Sequence, residues 1–162
     1  YIEPFLAQVA HVDAGAITMT LTAFGCSGLL GSWLFGRLFD GHRFPFLAIT
    51  LSGVPVALLL MGPAASSLVT VLAVCALWGC CATAFNVAFQ AELIKHTPAD
   101  SSAVAMSIFN LGIGTGTAIG GAVVSGPGIA WIGFVGGAIA VVGVILAITV
   151  MFPAIRRAKP VA

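Results

Sequence analysis

The chain has 162 residues, of which 60% are hydrophobic and only 7% charged, and its formal net charge at pH 7 is +1. Soluble domains carry about a quarter charged residues, so this composition excludes an ordinary soluble domain. The near-neutral charge also gives no electrostatic basis for binding nucleic acid.

Five apolar stretches follow one another along the chain, each close to the length needed to cross a bilayer as a helix. They are Ala16–Phe39, Phe44–Met61, Leu68–Ile94, Ala103–Val124 and Trp131–Met151. Backbone groups in lipid must find their hydrogen-bond partners within the protein, and the alternating pattern of membrane strands is absent. The sequence therefore predicts an all-α, polytopic transmembrane helix bundle, in which residues 1–10 are the end of a preceding span.

The basic residues all fall on one predicted side of the membrane. They are Arg37 and Arg43 around the first connection, Lys95 in the third, and Arg156, Arg157 and Lys159 in the tail. The second connection, the fourth connection and the N-terminal segment contain no Lys or Arg. Because Lys and Arg concentrate in cytoplasmic loops, we predict an integral membrane protein with its C-terminus in the cytoplasm.

Three amide side chains stand out within the predicted spans. Asn86 and Gln90 lie four residues apart and so share one face of the third span, and Asn110 lies at a matching depth on the fourth. Two interpretations stay open: a hydrogen bond between helices, or a cavity in which the amides contact a polar substrate. Their depth, near the level at which transporters bind substrates, favours the cavity.

Small residues recur at four-residue steps on the first and fourth spans. They are Gly28, Ser32 and Gly36 on the first, and Gly112, Gly116 and Gly120 on the fourth. Such stripes allow close approach of helices, and we predict that they are packing faces. The four Cys residues lie inside predicted spans and form no C-x-x-C pair, so we predict no metal site and no cofactor.

The first connection, from Gly36 to Arg43, reads GRLFDGHR. It resembles the G-x-x-x-D-[RK]-x-G-[RK]-[RK] loop signature of the major facilitator superfamily, in the copy between helices eight and nine. Gly36 and Asp40 match that signature, and Arg43 supplies a basic residue at the position of a family glycine. Gly41 stands where the family usually has Arg or Lys, so the signature is degenerate here.

Other stretches are similar to the drug–proton antiporter branch of that superfamily, and most of all to its sugar-efflux and arabinose-exporter-type permeases. Residues 1–6 resemble the outer end of helix seven, residues 86–90 helix ten, and residues 103–112 helix eleven. The resemblance implies that residues 1–162 are a C-terminal transmembrane half, from the end of helix seven through helix twelve. The N-terminal half is then absent from this sequence, and the initial Tyr in place of Met fits a piece of a longer protein.

The resemblance implies a secondary active transporter that exports a small polar or amphipathic solute, such as a sugar, nucleoside or drug, by alternating access. It implies a bacterial inner membrane, and as partners a small-molecule substrate, the lipid bilayer and the N-terminal half of the same transporter. It also implies that Gly36, Arg37, Asp40 and Arg43 form a gating loop that stabilises the outward-facing state. Proton coupling rests on the resemblance alone, since no carboxylate or His lies at mid-depth.

Two other interpretations stay open from the residues themselves. One is a half-size membrane protein that oligomerises to complete its cavity, and the other is a non-transporting membrane scaffold whose small-residue stripes associate helices. We expect that the protein is not an enzyme, because H-E-x-x-H, G-x-S-x-G and paired intramembrane carboxylates are absent from the sequence. Glu92 and Lys95, three residues apart at the end of the third span, could form a gate contact or an interfacial ion pair, and we expect the ion pair.

Overall fold

The structure is a computed structural model that describes residues 1–98 and 101–157. Its helices are α1 (Ile2–Gln8), α2 (Ala14–Leu38), α3 (Arg43–Ala64), α4 (Leu68–His96), α5 (Ser102–Ser125), α6 (Ile132–Leu146) and α7 (Phe152–Arg157). A 3₁₀ turn (Ile129–Trp131) leads into α6, and a π-helical turn (Ala147–Met151) joins α6 to α7. The part of the chain described contains no strand, and the all-α prediction is confirmed.

Five helical segments are long and apolar enough to cross a membrane, as the sequence predicts. They are Ala14–Leu38, Arg43–Ala64, Leu68–His96, Ala103–Ser125 and Ile129–Arg157. The last continues beyond its predicted end at Met151. Pro153 has no backbone N–H to donate to the carbonyl of Thr149. The π-helical turn, which has a wider hydrogen-bond spacing, contains Thr149 and comes just before this proline. The helix therefore runs through the proline to Arg157.

All the described Lys and Arg residues lie at one end of the bundle. This basic end is formed by the C-termini of α2, α4 and α7 and the N-terminus of α3. Lys159, the sixth basic residue, lies outside the described residues. An apolar cluster fills the basic end, where Phe39, Phe46, Leu47 and Phe152 are buried. A second cluster, around Phe5 and Val71, fills the opposite end.

The central helix is α4, which lies against α2 on one side and α3 on the other, and α3 in turn packs on α6. Glycines allow α2 and α4 to touch backbone to backbone. A Cβ atom at Gly31 would overlap the carbonyl oxygen of Cys80, and one at Gly79 would overlap the carbonyl oxygen of Phe24. The crossing of α2 and α4 therefore tolerates no side chain at either glycine.

The predicted small-residue stripe of α2 meets α4 at one of its three positions. A Cβ atom at Gly28 would lie 2.8 Å from Oγ1 of Thr83. Ser32 and Gly36 are exposed, and an ideal Cβ at Gly36 would find no atom of the described residues within 4 Å. Gly31, one position before Ser32, takes the place of the predicted contact.

The stripe of α5 is mostly unpartnered, because α5 stands apart from the other helices along residues 110–119, all of which are exposed. Among the described residues, no atom of another helix lies within 4 Å of an ideal Cβ at Gly112 or Gly116, and a packing role for these two stays a prediction. Gly120 does make a close contact, since its Cβ would lie 2.6 Å from the ring of Tyr1.

We predict that Gly31→Ala destabilises the protein, because the added methyl meets a backbone carbonyl that cannot rotate away. Overpacking of this kind costs about 1–3 kcal/mol, and the thermal unfolding midpoint in detergent measures it. Gly25→Ala is the matched control on the same helix, since nothing lies within 4 Å of its Cβ. Equal midpoints for the two variants would contradict the backbone contact.

Candidate functional site

The amides of α4 lie on one face of the helix, as their spacing predicts. The side-chain nitrogen of Gln90 donates a hydrogen bond to the side-chain oxygen of Asn86, and both residues are half-buried. The remaining polar atoms, Nδ2 of Asn86 and Oε1 of Gln90, make no hydrogen bond to another described side chain. The pair therefore presents one donor group and one acceptor group to whatever lies beside this face.

Asn110 lies on α5, exposed, and it does not pair with Asn86 across the helices. The ring of Phe109 contacts the ring of Phe89, with centroids 5.5 Å apart. That contact places residues 109 and 110 of α5 level with residues 89 and 90 of α4. The three predicted amides thus sit on neighbouring helices at similar depth, beside aromatic rings that the sequence analysis did not single out. Their contact with a substrate stays a prediction.

The predicted gating loop divides into an exposed part and a partnered part. Gly36, Arg37 and Asp40 are exposed, and the guanidinium of Arg37 lies over the ring of Trp33, 5.3 Å from its centroid. Asp40 forms no ion pair within residues 1–98 and 101–157. Arg43, at the start of α3, is the member of the loop that reaches another helix.

Arg43 forms a bridge to Glu92 across the basic end. Its Nε donates to Oε1 of Glu92 at 2.6 Å, and its Nη2 contacts both carboxylate oxygens. The carboxylate is nearly inaccessible, with 3% of the side chain exposed, against 28% for Arg43. Since Arg43 begins α3 and Glu92 lies in the last turns of α4, this bridge ties the two helix ends together.

The second partner of Glu92 is a histidine on its own helix. Nε2 of His96 lies 3.2 Å from Oε2 of Glu92, whereas Lys95 is exposed. The expected Glu92–Lys95 pair was therefore wrong. Glu92 turns into the interface with α3, and at this buried position the next helical turn offers His96 as the neighbour. The charged cluster of Arg43, Glu92 and His96 is defined by these contacts.

A cavity of about 390 Å³ opens near the opposite end of the bundle. Its lining is mostly apolar and includes Tyr1, Phe5, Met61, Trp78 and Gly120. None of the three amides lines it. Tyr1 reaches across this region, because its hydroxyl donates to the carbonyl oxygen of Thr117 at 3.1 Å. Among the described residues, no three His, Cys, Asp or Glu side chains come together as metal ligands.

Curated relatives of this chain carry the description "Probable sugar efflux transporter". The protein from Helicobacter pylori is 35% identical over 143 residues, which cover 86% of this chain and 36% of the relative. The Haemophilus influenzae protein is 32% identical over 153 residues, which cover 92% of this chain and 38% of the relative. The Mannheimia succiniciproducens protein is 34% identical over 149 residues, covering 90% and 37%.

The chain spans somewhat more than a third of the length of these relatives. The family model described as Major Facilitator Superfamily matches residues 1–162. The resemblance predicted from the loop at Gly36 to Arg43 is confirmed by that match. The chain belongs to the Major Facilitator Superfamily.

Proposed function

We propose that this chain is the C-terminal transmembrane half of an efflux carrier for a small polar solute of the sugar class. The carrier works by alternating access, without covalent chemistry on the solute. The description of the relatives as probable sugar efflux transporters supports export of a sugar. The observation that carries the proposal is the pre-oriented amide pair of α4, Asn86 and Gln90, beside the aromatic rings that join α4 to α5.

The chemistry of this face suits a neutral polyhydroxylated solute. An amide donor and an amide acceptor match the hydroxyl groups of a sugar, while the rings of Phe89 and Phe109 offer apolar surface to its C–H groups. Small-molecule sites generally combine apolar and aromatic walls with a few placed polar groups. Amide and phenyl side chains carry no charge, and a face built from them suits an uncharged substrate.

The exposed face of α5 supports a partner within the same transporter. Asn110 is exposed on this helix, and amide side chains in a membrane usually face protein or water. Carriers of this kind are built from inverted repeats of three helices. In this repeat, α4 corresponds to the helix that ends at α1, α5 corresponds to α2, and α6 corresponds to α3. Because α4 packs on α2, the same symmetry places the helix that ends at α1 against α5.

Contacts of the first residue agree with that arrangement. Tyr1 already lies against Gly120 and bonds the carbonyl of Thr117, so a helix continuing upstream from α1 would run beside Gly116 and Gly112. In this proposal the packing glycines of α5 meet that helix, and the N-terminal half of the carrier covers the amide face. A half-size protein would instead need a second copy to cover it.

The orientation follows from the position of the charges. We place the basic end on the cytoplasmic side of a bacterial inner membrane, in keeping with the concentration of Lys and Arg in cytoplasmic loops. The gate at this side is then the loop from Gly36 to Arg43, and its ion pair with α4 is the Arg43–Glu92 bridge. Opening of the cytoplasmic side would change the environment of this bridge.

We predict that Asn86→Ala and Asn110→Ala slow sugar efflux from cells expressing the full-length protein. Each variant removes one hydrogen bond to the solute, worth about 0.5–1.5 kcal/mol, which corresponds to a loss of up to roughly tenfold. Efflux of a radiolabelled sugar from preloaded cells gives the rate, and immunoblotting of membranes gives the amount of protein.

The matched control for the amide variants is Ser107→Ala. The Ser107 hydroxyl donates to the carbonyl oxygen of Ala103 on its own helix at 2.8 Å, so its loss should leave efflux unchanged. Normal efflux in both amide variants would make the asparagines packing groups. A wild-type protein that inserts correctly yet exports no sugar would favour the scaffold interpretation.

We also predict that Glu92→Gln lowers the stability of the protein at neutral pH, because the guanidinium of Arg43 loses its charged acceptor. A hydrogen bond to a charged group contributes about 1.5–3 kcal/mol to stability, and the thermal unfolding midpoint in detergent reports the loss. Asp40→Asn is the control, since this carboxylate is exposed and forms no ion pair with a described residue. A similar midpoint for both variants would contradict a structural role for the bridge.

A further inference from the structure

His96 occupies a position that a neutral imidazole fills poorly. Only 14% of its side chain is exposed, and its two ring nitrogens are buried without a hydrogen-bond partner among the described residues. A neutral ring carries one donor and one acceptor, and leaving both unused in a buried position is costly. The 3.2 Å separation from Glu92 suits an ion pair, although the ring is not turned for a hydrogen bond.

Two side-chain nitrogens lie close to the same carboxylate oxygen. Oε2 of Glu92 is contacted by Nη2 of Arg43 and lies next to Nε2 of His96. With a neutral imidazole, the charges of Arg43 and Glu92 cancel within the cluster. With a protonated imidazole, the cluster carries a net charge of +1, and two cations compete for one anion in a partly buried place, where their mutual repulsion is poorly screened.

The other described charged and titratable groups near the basic end are exposed. On α4, Lys95 is exposed; on α2 and the following turn, Arg37, Asp40 and His42 are exposed. On α7, Arg156 and Arg157 are exposed, and the guanidinium of Arg156 lies over the ring of Phe44, 4.6 Å from its centroid. Among the described residues, the ion pairs of Glu92 are those with Arg43 and His96.

We propose that His96 and Glu92 form a proton-binding site, and that proton uptake loosens the Arg43–Glu92 bridge between α3 and α4. Histidine is the side chain that normally changes charge between about pH 5 and 8. His96 and Glu92 lie one turn apart on the same helix, so their pairing requires no alignment of two helices. The imidazolium therefore competes effectively for Oε2 and repels the guanidinium of Arg43, which belongs to α3.

This inference deepens the proposed function, because it makes the cytoplasmic gate of the carrier respond to protons. It rests on the proposed function only for its consequence in transport. The effect on the bridge itself is a property of three side chains and is measurable on the purified protein, whatever solute the protein carries.

The test is the thermal penalty of Arg43→Gln, that is, the fall in the unfolding midpoint that this substitution causes. It is measured on the purified full-length protein in detergent at about pH 7.5 and about pH 5.5, within the range over which histidine side chains in general change charge. At the higher pH the variant breaks an intact bridge, and we expect a clear fall in the unfolding midpoint relative to the parent. At the lower pH the bridge is already loosened, and the fall should be at least about twofold smaller.

The same pair of measurements in a His96→Asn background identifies the proton-binding group. There the penalty of Arg43→Gln should be the same at both pH values. His42→Asn is the matched control, because this histidine precedes α3 in the sequence yet is exposed, and the pH dependence should survive in it. If Arg43→Gln fails to fold, Arg43→Lys serves, since it keeps the charge but loses the two-pronged contact.

The proposal is overturned if the penalty is independent of pH in the parent, or if its pH dependence persists in the His96→Asn background. Sugar efflux measured across the same pH range is the second arm, in which His96→Asn should flatten the profile. A protein that exports no sugar but shows the pH-dependent penalty contradicts the proposed function alone. Efflux with a pH-independent penalty contradicts the proton site alone.

Discussion

Hydrocarbon offers no hydrogen-bond partner, and this constraint sorts the polar side chains of the bundle. Hydroxyl groups satisfy it locally, by donating to the carbonyl four residues earlier on their own helix. Those that do so are Thr18, Thr20, Thr22, Thr50, Ser107, Thr115, Thr117 and Thr149. An amide or a charged group has too many polar atoms for this solution. Asn86, Gln90, Arg43 and Glu92 therefore depend on other side chains or on a solute.

The same constraint explains which features could be predicted from the sequence. The number of spans and the all-α class follow from the thickness of the bilayer and the need to pair every backbone group. The number of hydroxyl side chains in a span is a weaker guide to whether the span faces a cavity, because hydroxyls of α2 donate to its own backbone. The amides are the stronger signal, since a helix cannot satisfy them alone.

Contacts between helices were predicted less well, because they depend on which faces meet. Gly31 and Gly79 form the crossing of α2 and α4, although neither belongs to a predicted stripe. Gly112 and Gly116 do belong to one, yet they have no close neighbour on another helix in the described structure. The bridge from Arg43 to Glu92 joins positions 49 residues apart. The sequence places both residues at the basic end, but their pairing requires the neighbouring positions of α3 and α4 in space.

One helix, α4, connects the three features on which the proposals depend. It carries Gly79 at the crossing with α2, then the amide pair, and then Glu92 near its end. Gln90 lies two positions before Glu92, about 3 Å away along the helix axis. A helix is stiff over this length, so a displacement at the carboxylate also reaches the amides.

The length of α4 would turn a small rotation into such a displacement. Gly79 and Glu92 are thirteen residues apart, which corresponds to about 20 Å of helix at about 1.5 Å per residue. A rotation of about 10° about the glycine crossing would move the far end by about 3–4 Å. A shift of this size is enough to break a hydrogen bond at that end. The Arg43–Glu92 bridge, near the far end of α4, would oppose such a rotation. In the proposed mechanism, loosening of this bridge on proton binding at His96 would therefore shift the amide face.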